Sequence, residues 1–337
     1  MLISTTIYPS PPKGYAGTEM VVYDLACELN KMGHEVTVAS PIGSSFPEGI
    51  KHVPTVEPSY NFMTEQEAWG RYVEELLYGG YDIIHDHSFM LHSYLAKRDH
   101  PELRLCATLH GQCHFRTLPP VPKMNLICLS NSHAMQTSAL LGVPVKYVHN
   151  GTDITRYEYQ ERKQDYFLSL GRMARFKGAH ELIQLAEEMG FRLWVMGEDR
   201  FVQDPTYVHQ VMNMCGRMAK YFGEVSNEAK VNALRNAKAL LFYALWDEPF
   251  GLTPVEANAS GTSAIVTARG ALPEIVNHGK TGFVCRNREE FKHAIESADT
   301  IKPEDCRKWV EEKFTSKRMA QDYEKLYREI ADFGREW

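Results

Sequence analysis

The sequence has no excess of basic charge, no paired cysteines, no long apolar run and no repeated or low-complexity tract. Acidic side chains (43) outnumber Lys and Arg (37), for a formal charge of −6. Without a basic field, neither nucleic acid nor an anionic membrane surface is an expected partner. The seven cysteines (Cys27, Cys106, Cys113, Cys128, Cys215, Cys285 and Cys306) include no Cys-x-x-Cys pair and no zinc-type spacing. An odd, scattered set reads as small buried side chains in a reducing compartment. Residues 1–7 form a short apolar run without a basic leader, ended by Tyr8-Pro9, and no later segment nears the length of a membrane span. The expected location is the cytoplasm. No sequence signal bears on the oligomeric state.

Several catalytic signatures are missing as well. No Gly-x-Ser-x-Gly occurs, and no two aspartates stand two residues apart. A nicotinamide-dependent oxidoreductase would carry G-x-G-x-x-G after the first strand, but the first loop reads Gly14-Tyr15-Ala16-Gly17. His85-Asp86-His87 is the one metal-like pair, and no third ligand follows it. No metal and no cofactor are expected.

What is present suits a soluble α/β protein of two domains: 337 residues, 44% hydrophobic and 24% charged. Strand and helix signals alternate from the start. Leu2–Ile7 reads as a strand, followed by a loop over residues 8–18. Val21, Val22, Leu25, Ala26, Leu29 and Met32 then recur at helical spacing, with Gly33 as C-terminal cap. Val36–Ala39 follows as a strand, which makes a βαβ unit with parallel pairing. Further strands are expected at Ile83–His85, Leu103–Leu109, Leu126–Leu129 and Val145–Val148. A helix from Thr64 would open with a capping box of Thr64 and Glu67. Asn150-Gly151-Thr152-Asp153 and the polar run Glu158–Asp165 mark a boundary, with domains at 1–152 and 153–317. The second series has strands near Tyr166–Leu170, Leu193–Met196, Ala239–Tyr243, Ser263–Thr267 and Phe283–Val284. Its helices fall near Ala179–Met189, Asn227–Arg235, Leu252–Ala259 and Arg288–Ala298. Trp309, Val310, Phe314, Met319, Tyr323, Leu326, Tyr327 and Ile330 form the apolar stripe of one last helix. Ligands of two doubly wound halves are expected at the carboxyl ends of the strands, in a cleft between the halves.

Trp246-Asp247-Glu248-Pro249-Phe250-Gly251-Leu252-Thr253-Pro254-Val255-Glu256 is the most informative stretch. It runs from a strand into a helix whose first amides would form an anion site, with Gly251 permitting close approach and Pro254 harmless in the first turn. Glu256, on the face of Leu252 and Thr253, reaches a group one unit further along a ligand, such as a ribose diol. Glu248 lies before the helix, where a sugar would be. Taken alone, the two read more simply as a solvated loop acid and a surface helix acid. A second strand-to-helix turn, Leu170-Gly171-Arg172-Met173-Ala174-Arg175-Phe176-Lys177-Gly178, offers Arg172 as a planar fork and Lys177 as a point charge for a diphosphate.

Together these segments resemble the retaining glycosyltransferases of sequence family 4, which have the GT-B fold. The resemblance rests on Pro12–His34 (P-x-x-Y-x-G-x-E, then a helix ending Gly33-His34), Leu109-His110-Gly111, Ser130–Ala134 and Asn150–Asp153. It continues through Gly171–Gly178, the Glu248/Glu256 pair, Gly270–Glu274 and Gly279-Lys280-Thr281-Gly282, in order over nearly the whole chain. It implies two Rossmann-like domains facing a central cleft. The C-terminal helix, about 318–337, would pack back on the N-terminal, acceptor-side domain. The roles it implies are a diphosphate clamp of Arg172 and Lys177, with Glu256 on the ribose and Glu248 on the donor sugar. Phe250, Gly251, Leu252 and Thr253 would offer backbone amides. Gly17 would line the phosphate side of the first loop, His110 would contact the sugar near the reacting carbon, and Gly197-Glu198 with Gly223-Glu224 would flank the base. The departure is Ala16, where the family has the first of two paired glycines. The expected partners are a nucleotide diphosphate sugar and a small-molecule or glycan acceptor. Family frequency makes UDP-glucose the expected donor, with GDP-mannose and ADP-glucose as alternatives. The acidic helix near Thr64–Tyr78 (Glu65, Glu67, Glu74, Glu75) favours a soluble acceptor. A non-catalytic nucleotide-sugar-binding protein and a GT-B epimerase are the other readings of the same residues.

Overall fold

The computed structural model describes residues 1–14, 16–61, 63–112, 125–199 and 204–337; Tyr15 and Cys113 lie outside them. The chain divides into two compact units. The first comprises Met1–Pro12, Ala16–Gly151 and Ser316–Trp337, and the second comprises Thr152–Thr315 together with Lys13 and Gly14.

The first unit contains β1 (Leu2–Ile3), α1 (Gly17–Lys31), β2 (Val36–Ser40), β3 (Ile50–Pro54), α2 (Met63–Tyr78), β4 (Ile84–Asp86) and α3 (Ser93–Asp99). It continues with β5 (Leu105–Thr108), β6 (Leu126–Cys128), α4 (Asn131–Leu141) and β7 (Lys146–Tyr147). Its parallel sheet has the order β3-β2-β1-β4-β5-β6-β7. In α1 the expected stripe is the buried one: Val21, Val22, Leu25, Ala26 and Leu29. Gly33, at φ +93°, ends the helix as expected. Ala16 caps it in extended backbone (φ −164°), which any residue adopts, and an alanine there causes no strain.

Three expectations need correction here. The strand expected over Leu2–Ile7 pairs only at Leu2–Ile3, because Thr5 gives its hydroxyl to Glu19 and Thr6 bonds Thr64 Oγ1 (3.0 Å), turning the backbone out of the ladder. Thr64 is not a cap: α2 starts at Met63, whose N–H donates to Asn61 Oδ1 (3.0 Å), and Glu67 is exposed. Glu65 is not surface charge. It is buried, and its carboxylate accepts the Phe89 and Met90 amides at 3.1 and 2.7 Å, fastening the loop after β4 to α2.

Burial pushes the Glu65 carboxyl from 4.5 up to about 7. A folded value above the unfolded one means that Glu65 contributes its full stability below pH 4.5 and loses it as the pH rises through 7. Glu65→Gln has no such titration. Between these limits the difference in unfolding free energy should move in favour of the variant by up to about 3 kcal/mol, read by urea denaturation. A gap that ignores pH would mean that Glu65 titrates alike in the folded and unfolded chain.

The second unit contains β8 (Phe167–Leu170), α5 (Ala179–Met189), β9 (Leu193–Met196), α6 (Pro205–Met214), β10 (Ala219–Gly223), α7 (Asn227–Asn236) and β11 (Ala239–Phe242). It continues with α8 (Leu252–Ala259), β12 (Ser263–Thr267), α9 (Leu272–Ile275), β13 (Gly282–Cys285), α10 (Arg288–Glu296) and α11 (Pro303–Lys313). Its parallel sheet, β10-β9-β8-β11-β12-β13, repeats the order of the first six strands of the other sheet. The order reverses between β8 and β11, the switch point at whose carboxyl end ligands of such folds bind. A core of Leu182, Ile183, Leu193, Val195, Leu241, Ile265 and Phe291 fills the space between sheet and helices.

The single last helix expected from Trp309 to Ile330 is two helices, α11 and α12 (Ser316–Ala331). The Thr152 N–H donates to the Phe314 carbonyl (2.9 Å) and Thr152 bridges Thr315, while the buried Phe314 ring packs on Phe250 and Trp309. Those contacts pull the chain out of helix for two residues. Helix α12 belongs to the first unit, where it packs on α1 and buries Met319, Ala320 and Tyr323. Of the described cysteines all are free; four are buried, while Cys27 and Cys215 are half-buried. No described helix is long and apolar enough to cross a membrane.

Candidate active site

In the second unit the two anion-site segments meet at the β8/β11 switch point. After β8 the chain turns through Gly171 and Arg172 into one helical turn, Arg175–Lys177, and Gly178. The Phe176 ring packs on Trp246 (centroids 4.5 Å apart), and the Leu245 N–H donates to the Phe176 carbonyl (2.8 Å). Arg172 and Lys177 each lie 5.9 Å from that ring. The Lys177 ammonium donates to both oxygens of Glu248, at 2.9 and 2.7 Å, and the Trp246 indole N–H donates to Glu248 Oε2 at 2.8 Å. Their side chains are only 11% and 9% exposed, which rules out the reading of Glu248 as a solvated loop acid. The loop is held from behind by the Gly270–Glu274 segment: Gly270 N–H donates to Asp247 Oδ1 (3.2 Å) and Ala271 N–H to the Glu248 carbonyl (2.8 Å).

Helix α8 begins after Gly251, whose φ of +101° requires glycine, and a Cβ there would also meet Leu272 Cδ2 at 2.9 Å. The Leu252 and Thr253 amides, in the first turn, have no intrahelical acceptor to reach. Phe250 is buried and anchors the loop against Phe314. On the next turn Glu256 accepts from Tyr157 Oη (2.9 Å) and from Lys230 Nζ (3.0 Å), both at Oε1. Among the described residues Oε2 has no partner, which leaves one oxygen of a fixed carboxylate for a ligand. Burial and the adjacent Glu256 hold the Tyr157 phenol well above its usual range, and it remains a donor at any physiological pH. The Gly197 N–H donates to the Gly223 carbonyl (2.9 Å), joining the ends of β9 and β10. A Cβ at Gly197 would stand 1.7 Å from the Gly171 carbonyl, and glycine is what lets these strand ends close up beside Arg172. Next to them Glu198 is buried, and its carbonyl accepts the Met173 N–H (2.9 Å).

Gly17 and His110 belong to the first unit, the other expected residues to the second. Gly17 is the first residue of α1. His110 follows β5 and is half-buried, with its Nε2 2.8 Å from His87 Nδ1. The His85-Asp86-His87 run is absorbed by protein contacts. His85 bonds Tyr327 Oη (2.6 Å) and Thr108 Oγ1 (2.8 Å), and Asp86 accepts from the Ser88 amide (2.8 Å) and the Ser93 hydroxyl. No group of three or more His, Cys, Asp or Glu among the described residues is arranged to hold a metal. Sequence reading missed Tyr157, Lys230, Trp246 and the partner role of His87. Trp246 stood inside the quoted motif, whereas Tyr157 and Lys230 carry no local signal and reach Glu256 only through the fold.

Comparison with known proteins decides the family. The model described as Glycosyl transferases group 1 matches residues 153–315, and that described as Glycosyltransferase Family 4 matches residues 15–156. The chain belongs to the group 1 glycosyltransferases. This glycosyltransferase is 24% identical over 382 residues to N-acetyl-alpha-D-glucosaminyl L-malate synthase of Bacillus anthracis, with 97% of each chain covered. Its fold is that of sucrose-phosphate synthase from Thermosynechococcus elongatus (TM-score 0.80, 16% identity, 98% of each chain). It also matches Anabaena HepE solved with UDP-glucose (TM-score 0.73, 16% identity, 97% of this chain and 99% of that one). The fold is therefore GT-B, and the protein is a transferase.

Proposed function

We propose that this glycosyltransferase moves a hexose from a nucleotide diphosphate sugar, UDP-glucose, to a soluble acceptor in the cytoplasm, with retention of configuration and without a metal. The observation that carries the reading is the Lys177–Glu248–Trp246 constellation beside the start of α8, one turn before a Glu256 with one open oxygen. The UDP-glucose complex of HepE, which shares the fold, supports the donor class. A diphosphate at the α8 amides takes Lys177 and Arg172 as counter-charges, and Lys177 then exchanges part of its contact with Glu248 for phosphate oxygen. Glu248, still held by the Trp246 indole, is free to accept from sugar hydroxyls, and Glu256 Oε2 accepts from the ribose. The glycosidic bond to the β-phosphate breaks as the acceptor oxygen bonds the anomeric carbon on the same face. The departing phosphate oxygen takes the acceptor's proton, and the enzyme supplies orientation and fixed positive charge.

The charge inventory motivates the metal-free claim. The leaving diphosphate brings about two negative charges, and Arg172, Lys177 and the first amides of α8 are permanent counterparts to them. Transfer should persist in excess EDTA, and NMR of the product should show the donor's anomeric configuration. Activity that vanishes with EDTA and returns with Mn²⁺ overturns the metal-free claim, and an inverted product overturns retention. Assaying nucleotide release with UDP-glucose, GDP-mannose and ADP-glucose selects the donor.

A further inference from the structure

Four histidines of the first unit gather at the carboxyl ends of neighbouring strands: His85 and His87 at β4, His110 after β5, and His133 in α4. Of these, only His110 has a role implied by the family resemblance, a contact with the donor sugar near the reacting carbon. His87 is fully buried, its N–H still in the sheet with the Ile3 carbonyl (2.9 Å), and its ring lies 3.9 Å from that of His85. His85 has no free nitrogen to offer. Its Nδ1 bonds Tyr327 and its Nε2 bonds Thr108, whose hydroxyl is in turn 3.0 Å from Tyr323 Oη; both tyrosines come from α12. The ring contact, tilted at 39°, therefore fixes the His87 ring plane without consuming its nitrogens. His87 Nδ1 faces His110 Nε2 at 2.8 Å, while His87 Nε2 is buried and has no partner among the described residues.

One proton must occupy the His87–His110 contact, and its owner decides the chemistry of His110. Burial, reinforced by the neighbouring histidines, holds His87 well below the usual imidazole value and His110 down to about 3, and both rings are neutral at working pH. If His110 supplied the proton from Nε2, neutral His87 would carry its own on Nε2, a buried N–H with no acceptor among the described residues. If His87 supplies it from Nδ1, only a lone pair is stranded. Buried donors without acceptors are the rarer defect in folded proteins.

We infer that His87 is a positioning residue that donates from Nδ1 to His110 Nε2 and so locks His110 in the tautomer with its proton on Nδ1. The open edge of His110 is then a hydrogen-bond donor. It recognises an acceptor oxygen, a sugar hydroxyl lone pair or a bridging phosphate oxygen, and does not take a proton from the ligand. This rests on the reading that His110 faces the donor sugar.

The test combines NMR and kinetics on the full chain. Long-range ¹H–¹⁵N correlation on ¹⁵N-histidine-labelled enzyme should find both His87 and His110 protonated at Nδ1. A proton on His110 Nε2 overturns the inference without any substitution. His87→Phe keeps ring volume and stacking but loses the bond. It should mix the His110 tautomers and lower kcat by roughly 10- to 100-fold with donor KM within about twofold. His87→Asn restores a donor near the Nδ1 position and should recover most of kcat. If His110→Ala turns over normally, the sugar-facing reading fails while the tautomer result stands. If His110→Ala is impaired but His87→Phe leaves kcat and tautomer unchanged, the positioning role is wrong.

Discussion

Lys177→Ala should turn over roughly 10²–10³ times more slowly than the parent enzyme, the scale expected for losing one fixed charge in a preorganised site. The same substitution has a second consequence. Lys177 and Glu248 are each about nine-tenths buried and joined through both carboxylate oxygens. Removing the ammonium leaves a buried carboxylate held, among the described residues, by the Trp246 indole alone. Breaking such a pair costs about 3 kcal/mol or more, so the variant also melts earlier. The two effects separate in the double variant Lys177→Met/Glu248→Gln, which removes both charges. It should recover much of the lost melting temperature and none of the lost turnover. Arg172→Ala, whose guanidinium lies 5.9 Å from the Phe176 ring centroid, should show the kinetic defect with little change in melting. Near-normal kinetics in Lys177→Ala and Arg172→Ala together would mean that the donor diphosphate is held elsewhere.

The elements that periodicity reads well are those with strong punctuation. Ala179–Met189 lies between Gly178 and Gly190, both left-handed, and Leu252–Ala259 starts at the left-handed Gly251. Leu193–Met196 and Ser263–Thr267 are interior strands, and their unbroken apolar runs reflect burial on both faces. Two of the edge strands lack that signal. β3 reads Ile50-Lys51-His52-Val53-Pro54 with no fully buried residue, and β10 runs Ala219-Lys220-Tyr221-Phe222-Gly223 with one. Neither shows a run or a clean alternation.

Helix α12 shows a different limit. The spacing of three to five from Trp309 to Ile330 is real, and Val310, Met319, Tyr323, Tyr327 and Ile330 are all buried. The interruption at Phe314 and Thr315 comes from Thr152, more than 160 positions away in the chain, and no window of local sequence contains it. The site divides in the same way. Its acids and bases were legible because strand-to-helix turns concentrate them, as at Arg172–Lys177 and Glu248–Glu256. Their partners were not: Lys230 reaches Glu256 from α7 across 26 positions, and Tyr157 reaches it across 99. The mixed fate of α2 has the same cause, since only the fold tells Glu65, bonded to the loop after β4, from Glu67 on the surface.

The two glutamates of the motif should fail in opposite ways when replaced by glutamine. On the proposed reading Glu256 meets the ribose, a part of the donor that does not change as the glycosidic bond breaks, and its contact would be equally strong in ground and transition states. Glu256→Gln should raise donor KM about tenfold and leave kcat nearly intact. Tyr157 and Lys230 both converge on Oε1, and the amide that replaces the carboxylate can keep its carbonyl there. What it loses is the second acceptor oxygen, Oε2, the one open to a ligand. On the same reading Glu248 stands at the reacting end. Its carboxylate sets the position of Lys177 through two bonds and is set in turn by Trp246. Glu248→Gln disturbs both the sugar contact and the lysine that balances the leaving group. Since that charge develops only as the bond breaks, the loss should fall on kcat, by about 10²-fold, with little change in KM. Initial rates against donor concentration at saturating acceptor read both constants. Equal defects in the two variants, or a KM effect for Glu248 with a kcat effect for Glu256, would reverse the assignment of sugar and ribose along this loop and helix.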